Sequence, residues 1–261
     1  VIDRVVIQID EDGQFPNAAL CAAFLGFRAR GRDVCTLNPT QIEELPATPD
    51  CLVFGDVNIV RDYLARLGCT PTHLDYPSRL RPFMGRRVDV DVLSVIRRRY
   101  NEPGPPVFIK PVHHKLFLGQ VVSRFGDLIV TSHLDATTLV YCVEYVEFLS
   151  EWRVYCRDGQ AVGIGHYRGD PFLFPDADVV HQALHAFAGY DDMPRACALD
   201  FGRVRDGRTL LVEVNDMISL GSYGLDARLY SDLIEHRWDQ LVEGCTPQIN
   251  NSGEDHRPEG S

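Results

Sequence analysis

The chain has 261 residues, of which 45% are hydrophobic and 24% charged, and its formal net charge is −11 at pH 7. This is enough apolar material for one large domain or two modest ones. The acidic balance disfavours a nucleic-acid binder built on phosphate contacts, and no apolar run approaches the ~18 residues of a membrane-spanning helix. The N-terminal VIDRVVIQID lacks the basic-then-apolar layout of a signal peptide, and the eight cysteines include no C-x-x-C pair. The expectation is a soluble, cytoplasmic protein with mostly buried, reduced thiols, binding neither membrane nor nucleic acid.

The first third alternates strand and helix signals. Residues 5–9 and 51–54 are short apolar runs, 33–37 is extended, 15–30 is Ala-rich and helix-like, and 57–67 is amphipathic. That alternation predicts a small parallel α/β layer. It contains neither G-x-G-x-x-G nor a P-loop, and Gly55 after a strand indicates no more than a turn. Arg79, Arg81, Arg86 and Arg87 follow, then an amphipathic stretch at 91–100 carrying Arg97, Arg98 and Arg99. These arginines read as a solvated helix face or as a holder of an anionic substrate. The run Asn101-Glu102-Pro103-Gly104-Pro105-Pro106 breaks both helix and strand, and the main boundary is expected there. It divides the chain into an α/β domain at 1–103, a second domain at 104–246 and a disordered tail at 247–261.

Residues 107–111 form an apolar strand that reaches Lys110, whose charge must meet solvent or an anion. Lys115 follows before Gly119, and His113 and His114 read as solvated loop residues. A hairpin is expected about Asp158-Gly159, with Arg153 opposite Ile164 and Trp152 opposite Gly165. Glu151, Arg153, His166 and Arg168 would then share a face that is either merely wet or able to clamp phosphates or a carboxylate. Residues 176–189 have the apolar spacing of a core helix; 219–224 is a Gly- and Ser-bearing loop; 226–242 is a packing helix with Gly244 as its cap.

The second hairpin lies between Ala198 and Asp216, turning at Asp206-Gly207. With a two-residue turn, Arg205 faces Arg208 and Asp200 stands opposite Glu213. Alternation adds Asn215 to that face and sends Leu210, Val212 and Val214 into the core. Opposed carboxylates repel, so the face must hold a cation or a proton. Mg²⁺ suits an Asp, a Glu and an Asn because it takes oxygen ligands and needs only one or two carboxylates. An ordinary acidic face is the alternative, and one more residue in the loop would turn Asp200 away.

A lysine ending a strand, a second before a Gly turn, the hinge Val143-Glu144-Tyr145-Val146, Glu151-x-Arg153, and Asp200 followed by Glu213-x-Asn215 together resemble the ATP-grasp superfamily. With two arginines, the pattern is similar to its small clade named for two arginines and a lysine. The resemblance spans about residues 107–238. It implies an α/β N-terminal domain followed by an α+β ATP-grasp domain whose two subdomains sandwich the nucleotide. ATP phosphates would meet Lys110 and Lys115, and adenine would meet Glu144, Tyr145 and Val146. Glu151, spaced from Glu144 as in D-alanine ligase-like members, would take the ribose. Asp200, Glu213 and Asn215 would hold Mg²⁺, and Arg153 and Arg168 would be the two arginines, acting in catalysis with Lys110.

One departure stands out: many ligases of this superfamily carry an arginine two residues before the metal-binding Asp, where this chain has Ala198. Arg153, Arg168 or Arg203 are the substitutes within reach in sequence. The implied reaction is ATP-dependent carboxylate-amine ligation through an acyl phosphate, on a small molecule or peptide bearing a carboxylate and an amine. A phosphotransferase that stops at the phosphorylated product and a non-catalytic nucleotide-binding regulatory module are the rivals. Metal-dependent hydrolysis lacks an obvious general base or histidine set.

Overall fold

The computed structural model describes residues 2–113, 116–189 and 193–243. β1 (Arg4–Gln8), β2 (Val34–Leu37) and β3 (Cys51–Phe54) pair in parallel in the order β2-β1-β3. Val5, Val6 and Ile7 of β1 and Leu52 and Val53 of β3 are buried, as continuous apolar runs require in a covered parallel sheet. The helices start where the sequence caps them. Asn17 accepts from the N–H groups of Ala19 and Leu20 ahead of α1 (Ala18–Ala29), Asn38 forms a capping box with Gln41 on α2 (Pro39–Glu44), and Asp56 caps α3 (Val57–Arg66).

After α4 (Arg81–Met84), an antiparallel sheet contains β4 (Val88–Val92), β5 (Val107–Pro111), β6 (Gln120–Val122) and β7 (Leu139–Glu144) in the order β4-β7-β5-β6. α5 (Leu93–Arg99) packs on it through Leu93 and Ile96, which join Ile109, Val122 and Val140 in one core. The stretch at 101–106, expected as a domain boundary, connects α5 to β5 within this layer, because β4 pairs with β7 from Val88↔Val143 to Val92↔Leu139. A Pro/Gly cluster breaks local structure equally well inside a layer and between domains.

The third sheet contains β8 (Phe148–Arg157), β9 (Gln160–Gly169), β10 (Ala196–Val204) and β11 (Thr209–Asp216) in the order β11-β10-β8-β9. One face packs on α6 (Ala177–Ala188), with Leu184, Phe187, Leu199, Phe201 and Leu211 in a common core. Ala196, Ala198 and Tyr155 instead join the core of the parallel sheet and of α7 (Ala227–Glu243), through Phe54, Tyr230 and Leu233.

Both hairpins turn where expected, but their registers carry bulges that alternation does not announce. At Asp158-Gly159 both turn residues have positive φ (46° and 79°) and Arg157 pairs with Gln160, so the loop has two residues. Val162 is then an extra residue on β9, which moves Gly165 opposite Arg153 and His166 opposite Trp152, and a second extra residue, Tyr167, sets Arg168 opposite Glu151. This corrects the expected pairs, and it puts His166 on the Trp152 face, away from Glu151 and Arg153. At Asp206-Gly207 the loop has three residues, closed by Val204 N–H to Arg208 O at 3.0 Å with Gly207 at φ +87°. Arg205 therefore does not face Arg208. The added loop residue is offset by Val212, an extra residue on β11, and Asp200 still faces Glu213.

Gly165 marks a close approach: a Cβ there would lie 2.6 Å from the Tyr223 carbonyl oxygen and 3.0 Å from its Cβ. Tyr223 itself is held at φ 39°. Gly165→Ala is expected to cost about 1–3 kcal/mol through displacement of the loop at 219–224, read as a lower urea midpoint.

Four of the free thiols, Cys51, Cys142, Cys156 and Cys197, are buried as expected. No helix among the described residues is long and apolar enough to cross a membrane. His114, Lys115, Gly244 and the expected tail lie outside the described residues.

Candidate active site

The polar residues of β8, β10 and β11 lie at the end of the sheet face that Ala196 and Ala198 occupy nearer α7, and they meet Lys110 from β5. Alternation along β5 buries Val107 and Ile109 in its own core and turns Lys110 the other way. The Lys110 ammonium donates to Asp75 Oδ1 and Glu213 Oε2, both at 2.6 Å, and lies 4.9 Å from the Tyr76 ring centroid. Asp75 is fixed by a backbone bridge, Val214 N–H to Asp75 O at 2.9 Å, at φ 24°.

On the neighbouring strands, Arg153 donates from Nε and Nη2 to the two oxygens of Asp200 at 2.8 and 2.7 Å, with side chains only 7% and 2% exposed. The Asn215 amide nitrogen spans the two carboxylates, 3.1 Å from Asp200 Oδ2 and 3.3 Å from Glu213 Oε1. Glu151 accepts from Arg168 Nη1 and the Tyr167 hydroxyl, each at 2.9 Å. The cation demanded by two facing carboxylates is thus supplied twice, by Lys110 and by Arg153.

These contacts set the charge states. Burial pushes Asp200 up to about 6, against the pull of Arg153 in the other direction. Burial also disfavours the Glu213 anion, but Lys110 outweighs it and holds Glu213 below the usual carboxylate range. For Lys110 burial works against the charge, and Glu213, Tyr76 and Asp75 carry its pKa well above normal. Burial pushes the Tyr76 phenol up to about 12.

Lys110, Glu213 and Asn215 open onto a cavity of about 560 Å³ that Asn58 and Arg61 of α3 also line. A second cavity, of about 530 Å³, lies between Gly55, Asp56 and the loop at 219–224. Ser219 lines both, and its hydroxyl donates to Gly55 O at 2.8 Å. Among the described residues no group of three or more His, Cys, Asp or Glu forms a metal cluster. An ion at the polar face would rest on two carboxylates, the Asn215 amide oxygen after a flip, and oxygens of a ligand. That set of hard donors fits Mg²⁺.

Of the residues singled out in the sequence, Lys110, Arg153, Asp200, Glu213 and Asn215 come together in one hydrogen-bonded group. Glu151 and Arg168 form a pair of their own beside Arg153. Glu144, at the end of β7, accepts from Arg87 N–H at 3.1 Å, and Tyr145 and Val146 lead from it into β8. Among the described residues no hydrogen bond or ion pair ties these three to Asp200 or Glu213. Asp75, Tyr76, Tyr167 and Tyr223 join the site with nothing local in the sequence to mark them: Asp75 is 35 residues from Lys110. Arg86 reads in the sequence only as part of a basic run. It is half-buried, with its guanidinium over the Phe148 ring, and donates to the carbonyls of Met84, Leu211 and Val212, which pins the bulge that restores the β10–β11 register.

The same architecture occurs in known proteins. The fold is similar to that of a D-cycloserine synthetase, DcsG, with 12% identity, a TM-score of 0.56, and 90% of this chain and 99% of that one covered. It is similar to a RimK domain ATP-grasp protein from Sphaerobacter thermophilus DSM 20745, with 16% identity, a TM-score of 0.54 and coverage of 90% and 99%. A D-alanine–D-alanine ligase from Bacillus anthracis complexed with ATP gives 13%, 0.51, 92% and 98%. No curated protein matches the sequence. Residues 83–233, more than half of the chain and beginning upstream of the breaker at 101–106, match the ATP-grasp domain of family 2 in the clade named for two arginines and a lysine. The chain therefore belongs to the ATP-grasp superfamily, in the second family of that two-arginine, one-lysine clade.

Proposed function

We propose that the protein is an ATP-dependent, Mg²⁺-dependent carboxylate-amine ligase that forms an amide bond through an acyl phosphate. The observation that carries this reading is the convergence of Asp200, Glu213 and Asn215 with Lys110 at the edge of a cavity large enough for two reacting groups. The domain following the N-terminal α/β layer is the nucleotide-binding part, starting near residue 83. Asp200, Glu213 and Asn215 are the residues to hold Mg²⁺, which when bound neutralises phosphate charge and aligns the transferred group. Lys110 exchanges Glu213 for phosphate oxygens, and the backbone at 144–146 receives the base. Arg153 keeps Asp200 ionised and oriented. The substrates are a carboxylate and an amine, carried on a small molecule or a peptide.

Formation of a hydroxamate from a carboxylate pool, ATP and hydroxylamine tests the acyl phosphate, and its absence under turnover of ATP would favour a phosphotransferase. Glu213→Gln is expected to lower turnover about 10²–10³-fold, the size of effect seen when one charge-stabilising group is lost. Its urea midpoint should remain close to wild type, because Lys110 keeps Asp75 as a partner. Undiminished turnover in this variant contradicts the metal assignment.

A further inference from the structure

The three arginines that could replace the one missing at Ala198 are all engaged elsewhere. Arg153 is locked on Asp200, Arg168 on Glu151, and Arg203 reaches the Thr209 hydroxyl at 3.4 Å. Ala198 is fully buried, paired between Tyr155 and Asn215, and packs into the core shared with the parallel sheet. A long side chain has no room at that position.

The acidic groups on the cavity wall are also already matched. Asp75 and Glu213 share Lys110, and Asp216 is held bidentately by Arg237 at 2.9 and 2.7 Å. Arg61 is different. It is half-buried on α3, lines the same cavity, and has no hydrogen-bond or ion-pair partner among the described residues. Asn58, one helical turn earlier on the same face of α3, adds an amide to that wall. A guanidinium in a concave site with no anion of its own among the described residues, on a cavity that a lysine and two carboxylates also line, is suited to a planar oxyanion.

We propose that Arg61 receives the carboxylate of the acid substrate, so that the cation absent from the ATP-grasp strand is supplied by the N-terminal α/β layer. This assignment rests on the ligase reading for the identity of its ligand, but not for the existence of the site. Asn58 donates beside it, and Lys110 remains available to the nucleotide.

The test compares thermal midpoints of wild type, Arg61→Met and Arg61→Lys in equal concentrations of sodium acetate and sodium chloride, each with and without Mg·ADP. Acetate should raise the wild-type midpoint about 1–2 °C above chloride. The difference should vanish in Arg61→Met and persist at least in part in Arg61→Lys, while the rise caused by Mg·ADP stays the same in all three. No acetate-specific rise in wild type, or one that survives in Arg61→Met, overturns the proposal. A Mg·ADP rise lost in Arg61→Met overturns it as well, by making Arg61 a ligand of the nucleotide phosphates. Lack of any Mg·ADP rise in wild type removes the ligase reading instead, and the nucleotide-free acetate arm still reports on Arg61.

Discussion

Arg153→Ala is expected to destabilise the protein by about 3–5 kcal/mol at pH 8, the usual cost of removing one partner from a buried ion pair. Asp200 would be left as a carboxylate with almost no solvent and one amide donor, Asn215. The penalty should depend on pH. Burial already sets Asp200 at about 6 with Arg153 beside it, above the value for an unfolded chain, and without the arginine it rises further. A carboxyl whose folded pKa is raised contributes stability that is fully present below the unfolded value, near 3.9, and is lost as pH rises through the folded one. The variant should therefore approach wild type at pH 5 and fall away from it towards pH 8. Urea unfolding of both proteins at the two pH values measures this, and an equal penalty at each contradicts it. Arg153→Met combined with Asp200→Asn should recover much of the loss, since neither residue then carries charge.

Replacement of Lys110 has the second large effect. Lys110→Met removes the one ammonium shared by Asp75 and Glu213, whose side chains are 22% and 26% exposed. Turnover should fall at least about 10²–10³-fold, because charge on the transferred phosphoryl group loses a positioned cation. Mg·ADP should raise the midpoint less than in wild type. Mg²⁺ alone should behave in the opposite way, stabilising Lys110→Met more than wild type, because the metal then meets two uncompensated carboxylates. Chelation with EDTA in the absence of nucleotide should leave the wild-type midpoint unchanged. Thermal scans with EDTA, Mg²⁺ and Mg·ADP separate these cases, and an identical response of both proteins to Mg²⁺ contradicts the shared-cation account.

The sequence exposes those parts of the site that depend on local pattern. Lys110 interrupts an apolar strand, and Asp206-Gly207 and Asp158-Gly159 mark the turns. A two-residue loop predicts Asp200 opposite Glu213, but that pairing arises from a three-residue loop and a bulge at Val212 that offset one another. The same inference on β8–β9 has no such compensation and misplaces His166. A bulge is stabilised by tertiary partners, here the Arg86 guanidinium on the carbonyls of Leu211 and Val212. Strand alternation carries no trace of such a partner more than a hundred residues away. Asp75 and Arg61 are illegible for a related reason. Each sits in a segment whose own periodicity says turn or amphipathic helix, and each matters only through what the fold sets across from it.

The mutual neutralisation of Lys110, Glu213, Asp75, Arg153 and Asp200 has a consequence for how the molecule is made. Every charge on that face has an internal counter-ion before any small molecule arrives. Biosynthesis of the folded chain need not wait for metal or nucleotide, in contrast to proteins whose bare ligand clusters collapse only around their ion. On the proposed assignment, a newly synthesised copy would mature first and be loaded afterwards, with each incoming charge displacing a resident one.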